Sequence, residues 1–328
     1  MKNNIKIGVI GVGHLGQHHA KHYAKIKSTE LVGVYDTDNK QCKSIAAQFK
    51  ARAYRSLNEM LEHIDGVSIV TPTKNHAEIA EACIKKGKHV FIEKPISKTV
   101  EEAESIIALA KKHKVTLQVG HIERFNPALS PLEQFTINPK YIEVQRLAPY
   151  MVRGTDIPVV LDLMIHDIDL VLSFIDSPVK NIEASGVSIM TSSVDIANAR
   201  IHFENGAVAN MTSSRVAKDR VRKIKLFQQD LYITIDFLIG LTEVYRVMDV
   251  EEKGTPAIIS APIESKGKQR HIIYEKPKIN KQDALQMELI NFVESIQGKA
   301  KPIVDGVAGK EALRVALQIQ NKILEGLK

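Results

Sequence analysis

Four short constellations hold side chains able to do chemistry. Gly11-Val12-Gly13-His14-Leu15-Gly16 follows an apolar β-branched run and opens an amphipathic segment, and Asp36 lies 20 residues beyond Gly16. In a strand–turn–helix setting, the first glycine permits the tight turn, the second lets the backbone approach a pyrophosphate, and the third lets helix and strand pack closely. The helix N-terminus then holds the anion. A carboxylate at Asp36 accepts hydrogen bonds from a ribose 2′-hydroxyl and repels a 2′-phosphate, which favours NAD over NADP. A glycine turn with no ligand is the plain alternative, and the strand–helix context weighs against it. Thr71-Pro72-Thr73 and Glu93-Lys94-Pro95 end two further predicted strands, on the side of an open α/β sheet where ligands bind. His76, at the next helix start, either contacts the nicotinamide side or is an ordinary surface histidine. Further on stand Asp162 and His166. Imidazole titrates near ~6.5, so His166 is the candidate to take and return an alcohol proton. Asp162, four residues earlier on a predicted helix, shares its face and orients it or holds a neighbouring hydroxyl; a helix-surface ion pair is the alternative.

These residues need elements to hold them. Up to about residue 120, apolar runs at 5–11, 30–36, 66–70, 89–93 and 116–120 alternate with helical-period segments His14 to Lys27, Ala77 to Lys86 and Val100 to His113. That alternation predicts an α/β fold, a Rossmann doubly wound parallel sheet, over residues 1–120. Residues 121–328 predict an α+β domain, with a helix around Val159 to Phe174 and strands from Asn181 to Ile273. Within it, Asn205-Gly206 turns a hairpin of a mostly antiparallel sheet. Helices near Gln282 to Gln297 and Gly309 to Glu325 follow, and the substrate is expected in a cleft between the two domains.

Composition narrows the partners. The 328 residues carry 45 Lys and Arg against 38 Asp and Glu, a net charge of +7, with 44% hydrophobic and 25% charged residues, as in ordinary globular chains. Aromatics make up 5% and Trp is absent, a poor basis for stacking single-stranded nucleic acid. The apolar runs fall short of the ~18–20 residues of a membrane span. Cys42 and Cys83 alone do not make a disulfide framework, so a cytoplasmic home is expected, with neither nucleic acid nor membrane as partner. His14, His18 and His22 recur every four residues, and Asp167 and Asp169 flank His166, but neither set completes a ligand pattern. Hydride transfer to NAD needs no metal, so none is expected.

The glycine loop, Asp36, Thr71-Pro72-Thr73 with His76, Glu93-Lys94-Pro95 and Asp162-x3-His166 together resemble the Gfo/Idh/MocA family of NAD(P)-dependent oxidoreductases, almost end to end. The resemblance implies that Lys94 and His166 flank the reacting carbon, that Lys94 steadies alkoxide character, and that the Lys94–Pro95 bond is cis. It also implies that the second domain, 121–328, is an open-faced sheet used for substrate and oligomer contacts. Val119-Gly-His-Ile-Glu-Arg-Phe-Asn-Pro127 and SRVAKDRVRKIKLF are most similar to members that oxidise the 3-hydroxyl of UDP-N-acetylglucosamine. Arg124 and Asn126 would then reach substrate polar groups, unless Asn126 caps its own backbone. Arg215, Lys218, Arg220, Arg222, Lys223 and Lys225 complement a diphosphate or form a solvated face. Two other readings stay open: a dehydrogenase of a free sugar or inositol, and a non-catalytic NAD-binding regulator. An uncovered apolar sheet face predicts a homodimer or homotetramer.

Overall fold

Buried β-branched strands joined through helices build a six-stranded, wholly parallel sheet at the start of the chain, in order β3-β2-β1-β4-β5-β6. The strands are β1 (Ile5–Ile10), β2 (Thr29–Tyr35), β3 (Arg52–Ala53), β4 (Gly66–Ile69), β5 (His89–Glu93) and β6 (Leu117–Gly120). The computed structural model describes residues 4–151, 157–249, 258–265 and 267–327. Strand order reverses between β1 and β4, which opens a crevice beyond their carboxyl ends.

Helices α1 (Gly16–Tyr23), α4 (His76–Lys85) and α5 (Val100–His113) fall where periodicity predicts them. Helix α1 is shorter than the expected His14 to Lys27, because the glycine turn takes His14 and Leu15 and the chain turns again from Ala24. Helix α5 starts at a capping box between Thr99 and Glu102 and stops at Lys114, whose φ of 55° is left-handed. Two further helices, α2 (Asn39–Gln48) and α3 (Leu57–Leu61), are capped by Asp38 and Ser56.

The chain divides into two compact units: residues up to Phe125 with Asp283–Arg314, and Asn126–Gln282 with the residues from Val315 on. The expected division at 120/121 placed the whole C-terminal part in the second domain. The structure instead returns α7 (Ala284–Ile296) to the first unit. Its Leu285, Leu289, Phe292 and Val293 join Ile7, Val9, Ala20, Tyr23 and Phe91 in one core. At about 1.5–3 kcal/mol for each fully buried large side chain, this face is a main support of the sheet. An apolar stripe announces that a helix face is buried, not what buries it.

The second unit is a nine-stranded sheet of β7 (Tyr141–Leu147), β8 (Val179–Val187), β9 (Ile196–Phe203), β10 (Val208–Ser214), β11 (Val221–Gln228), β12 (Leu231–Asp236), β13 (Leu241–Met248), β14 (Ile259–Ser265) and β15 (Lys268–Glu275). Their order is β14-β15-β13-β12-β11-β7-β10-β9-β8. Every pairing is antiparallel except β7 with β10. The expected strand series began at Asn181, so it missed β7, which lies deep in the sheet. The predicted hairpin joins β9 to β10 through Gly206 at φ 82°. On β7, Ile142, Val144 and Arg146 face inward, and Arg146 makes a bidentate pair with Asp167 of α6 (Ile165–Phe174), both bonds 2.7 Å. That pair fixes α6 to the sheet. Among the described residues, no helix is long and apolar enough to cross a membrane.

Candidate active site

In the first unit the glycine turn is built for close approach. Gly11 has φ 81°, and a side chain there would meet the Val70 carbonyl at 2.6 Å. A Cβ on Gly16 would lie 1.8 Å from the Gly11 carbonyl oxygen, so helix and strand pack this tightly only with glycine. Gly13 faces open space. No acidic side chain stands in the first turn of α1 and no side chain caps its Leu15 N-cap, which leaves a site suited to an anion.

Asp36 closes the same crevice. Its carboxylate accepts the Val12 N–H at 2.7 Å and the Asp38 N–H at 2.9 Å, so turn and acid are held together before any ligand arrives. A cavity of about 220 Å³ lies beside them, bounded by Gly11, Gly13, Asp36, Thr71 and Pro72. Tyr35, Thr37, Asn75 and Ile79 also line it and escaped the sequence reading. Their signal was only their nearness to the motifs. His14 and Leu15 are exposed on the turn, and Val12 is buried with its N–H committed to Asp36. An NAD-type dinucleotide fits this donor set: a glycine cradle, a helix terminus and a fixed carboxylate.

The loops after β4 and β5 are tied together by His76. Its ring is 1% exposed, with Nδ1 2.8 Å from the Pro95 carbonyl oxygen and Nε2 2.8 Å from that of Thr71. It is therefore a support for both loops rather than a surface histidine. Burial lowers its pKa, outweighing the two carbonyls, so the ring is neutral at neutral pH and donates from one nitrogen. Thr73 begins the short turn that leads into α4. Lys94 follows β5 half-buried, and its bond to Pro95 is cis.

Glu93, expected at the cofactor, is turned into the core instead. Its Oε1 meets His19 Nε2 at 3.0 Å, and its Oε2 accepts the Lys94 N–H at 3.3 Å. His19 was passed over in the sequence because His14, His18 and His22 carried the regular spacing. Those three do not gather: the His14 and His18 rings meet edge-on at 5.6 Å, while His22 lies 3.6 Å from Asp283. Among the described residues, no group of three His, Cys, Asp or Glu is placed to hold a metal.

Arg124 lies in a short helical turn, Ile122–Phe125, that closes the opening segment of the first unit. Asn126 opens the second, and its side chain accepts the Ala128 N–H at 3.1 Å, the capping alternative named above. The second unit also holds Asp162 and His166. Asp162 sits in a π turn, Val160–Met164, that runs into α6, where His166 lies half-buried. The expected four-residue register of a plain α-helix does not hold there, because one wider turn is invisible in a periodicity taken over so few residues. Such turns recur at functional sites. The Arg146–Asp167 pair, 4% and 3% exposed at the side chains, anchors the residue beside His166.

The basic segment is partly structural. Arg215 is buried and donates to the Ile157 carbonyl, Lys223 pairs with Asp236 at 3.2 Å, and Lys225 pairs with Glu143 at 3.2 Å. Lys218, Arg220 and Arg222 stay exposed.

Residues 5–121 match the family pattern described as an oxidoreductase family with NAD-binding Rossmann fold, and residues 150–234 match the GFO/IDH/MocA C-terminal domain. The chain is 37% identical over 97% of its length to UDP-N-acetylglucosamine 3-dehydrogenase of Acidithiobacillus ferrooxidans, covering 96% of that protein. A solved structure of that enzyme superposes with a TM-score of 0.88 over 98% of this chain and 97% of that one. Myo-inositol 2-dehydrogenase of Thermotoga maritima is 24% identical over 98% of this chain and 97% of that protein. Scyllo-inositol dehydrogenase from Lactobacillus casei, solved with NAD(H) and scyllo-inositol, shares the fold at 20% identity and a TM-score of 0.78, over 99% of this chain and 98% of that one. With both domain patterns matched in order and the likeness running nearly end to end, this chain belongs to the GFO/IDH/MocA family of oxidoreductases.

Proposed function

We propose that the protein is an NAD-dependent dehydrogenase that oxidises the 3-hydroxyl of UDP-N-acetylglucosamine or a related nucleotide sugar. The observation that carries the cofactor choice is the Asp36 carboxylate, fixed by the Val12 and Asp38 N–H groups beside the cavity. A ribose diol can donate to its remaining lone pairs, whereas a 2′-phosphate would be repelled. The sugar is supported by the 37% identity to UDP-N-acetylglucosamine 3-dehydrogenase, well above the 24% to the inositol enzyme.

Bound NAD supplies the hydride acceptor. His166 takes the proton from the alcohol, and Asp162 orients the imidazole or holds an adjoining hydroxyl. The Lys94 ammonium donates to the alcohol oxygen and stabilises its alkoxide character as hydride leaves. Arg124 contacts substrate polar groups, while Asn126 caps the turn that follows it. Lys218 and Arg220, both exposed, are the members of the basic segment assigned here to a diphosphate, while Arg215, Lys223 and Lys225 are engaged within the sheet unit. A binding-only regulator has no need of the Lys94, Asp162 and His166 set. The two buried free cysteines suit a reducing cytoplasm.

The test is NADH formation, followed by its absorbance, with UDP-N-acetylglucosamine, free N-acetylglucosamine and myo-inositol compared at equal concentration. The UDP-sugar should react with a kcat/KM at least ~10²-fold above the others, since losing a charged diphosphate contact costs about 1.5–3 kcal/mol for each hydrogen bond. Efficient oxidation of inositol or free sugar, with no reaction or binding of the UDP-sugar, would replace this substrate by the alternative.

The second unit supports a homodimer or homotetramer. Tyr141, Phe227, Tyr232, Tyr245 and Tyr274 form a half-buried row across five strands, with ring centroids 4.6–5.7 Å apart. A mixed aromatic row of this length suits a second copy of the same sheet. Light scattering at micromolar concentration should give at least twice the 36.5 kDa chain mass. A monomer rejects the assembly.

A further inference from the structure

We infer that His19 and His76 are positioning residues for Lys94, gripping its main chain from both sides. The inference rests on the reading of Lys94 as the group that touches the alcohol. On one side, His19 Nε2 holds Glu93 Oε1 at 3.0 Å while the other oxygen of that carboxylate accepts the Lys94 N–H at 3.3 Å. On the other, His76 Nδ1 lies 2.8 Å from the carbonyl oxygen of Pro95, the next residue in the chain. The other nitrogen of His76 lies 2.8 Å from the carbonyl oxygen of Thr71, in the loop that lines the dinucleotide cavity, and the single N–H of the neutral ring bonds one of these two carbonyls at a time.

Core packing alone does not account for His19. The ring is fully buried, and its Nδ1 has no hydrogen-bond partner. Its neighbour on that helix face is apolar, the edge of Phe91 at a centroid distance of 5.4 Å. An apolar side chain of similar volume would fill the space without stranding a ring nitrogen. With no acceptor for an Nδ1 proton, the nitrogen placed to donate is Nε2, and it faces the Glu93 carboxylate. The fold also reserves room for the acid: a Cβ on Gly120 would come within 3.0 Å of the Glu93 carboxylate. A lysine at the end of a strand has long side-chain freedom, and reaction geometry tolerates little error. A displacement of 1 Å can cost on the order of 10²-fold in rate, so a fixed main chain is what gives the ammonium a defined reach.

The test compares His19→Leu, which removes the donor, with His19→Gln, which restores an N–H near the same place. In His19→Leu, kcat with UDP-N-acetylglucosamine should fall by roughly 10–100-fold while KM for NAD stays within about threefold; His19→Gln should recover most of the loss. Amide hydrogen exchange at Lys94, read without substrate or cofactor, should quicken by about tenfold or more in His19→Leu and return toward normal in His19→Gln. If His19→Leu does not give folded protein, Glu93→Gln is read by the same two measurements. Normal exchange at Lys94 with normal kcat in His19→Leu overturns the inference. So does a loss equal in the Leu and Gln variants that follows their melting temperatures. Lys94→Ala separates this from the underlying reading. If Lys94→Ala is inactive while His19→Leu is normal in both measurements, Lys94 keeps its role and the grip is rejected. If Lys94→Ala turns over normally while the amide still opens in His19→Leu, the grip stands as architecture and its catalytic purpose is rejected.

Discussion

Lys94→Ala and His166→Ala should each lower turnover by on the order of 10²–10⁴-fold, the span typical of losing a charge-stabilising donor or a general base. The two losses should differ in character. His166 lies in the sheet unit, apart in the chain from the glycine turn and Asp36, so His166→Ala should leave NAD affinity close to normal and depress kcat. The pH profile of kcat should change with it, because no other imidazole is assigned to the alcohol proton. Lys94→Ala removes the ammonium that steadies the alkoxide, and its rate loss should leave the shape of the pH profile in place. Lys94→Arg should not rescue it fully, since a planar guanidinium cannot reproduce the reach and compactness of an ammonium. The measurement is steady-state kinetics with the best UDP-sugar, alongside fluorescence titration of NADH. Near-normal turnover in His166→Ala would move the base to another residue, and near-normal turnover in Lys94→Ala would leave the alkoxide without its proposed partner.

The first unit was legible because its information is local. Strands buried on both faces read as continuous apolar runs, and the Gly11–Gly16 turn is demanded by contacts within a few residues, such as the 1.8 Å approach a Cβ on Gly16 would make. Asp36 could be placed from spacing, although its bond to the Val12 N–H could not. What failed to show was long-range. The return of α7 to the first core depends on the shape of a face 250 residues away in the chain, and an amphipathic stripe carries no address. Strand β7 was missed because Tyr141-Ile-Glu-Val-Gln-Arg-Leu147 alternates over only seven residues and puts an arginine at an inward position. That arginine is there to meet Asp167, a pairing across 21 residues that neither residue announces alone. His19 was hidden for a related reason: three neighbouring histidines offered a more conspicuous pattern, and only the fold shows which histidine faces Glu93. The basic segment carried a charge count but not a charge assignment. Arg215, Lys223 and Lys225 are taken by Ile157, Asp236 and Glu143.

Replacing Asp36 by Ala should weaken NAD binding by roughly 10–150-fold, the equivalent of one charge-assisted hydrogen bond at about 1.5–3 kcal/mol, and should narrow the gap to NADP. Two effects contribute, because this carboxylate does two things. It offers acceptors to a ribose diol, and it holds the glycine turn through the Val12 N–H at 2.7 Å and the next loop through the Asp38 N–H at 2.9 Å. Alanine loses both, so part of its cost falls on NAD and NADP alike. Asp36→Asn separates them. It keeps one acceptor oxygen for the backbone and removes the negative charge, so the turn should suffer less while the repulsion of a 2′-phosphate disappears. The ratio of NADPH to NADH affinity should therefore rise in both variants, with the better absolute NADPH binding in Asp36→Asn. Fluorescence titration of both reduced cofactors against wild type, Ala and Asn proteins measures all the quantities needed. A wild-type protein that binds NADPH more tightly than NADH would reject Asp36 as the selector. An unchanged ratio in Asp36→Asn would show that the carboxylate acts on the turn alone and that discrimination lies in other residues of the cavity wall, with Thr37 and Asn75 the first to examine.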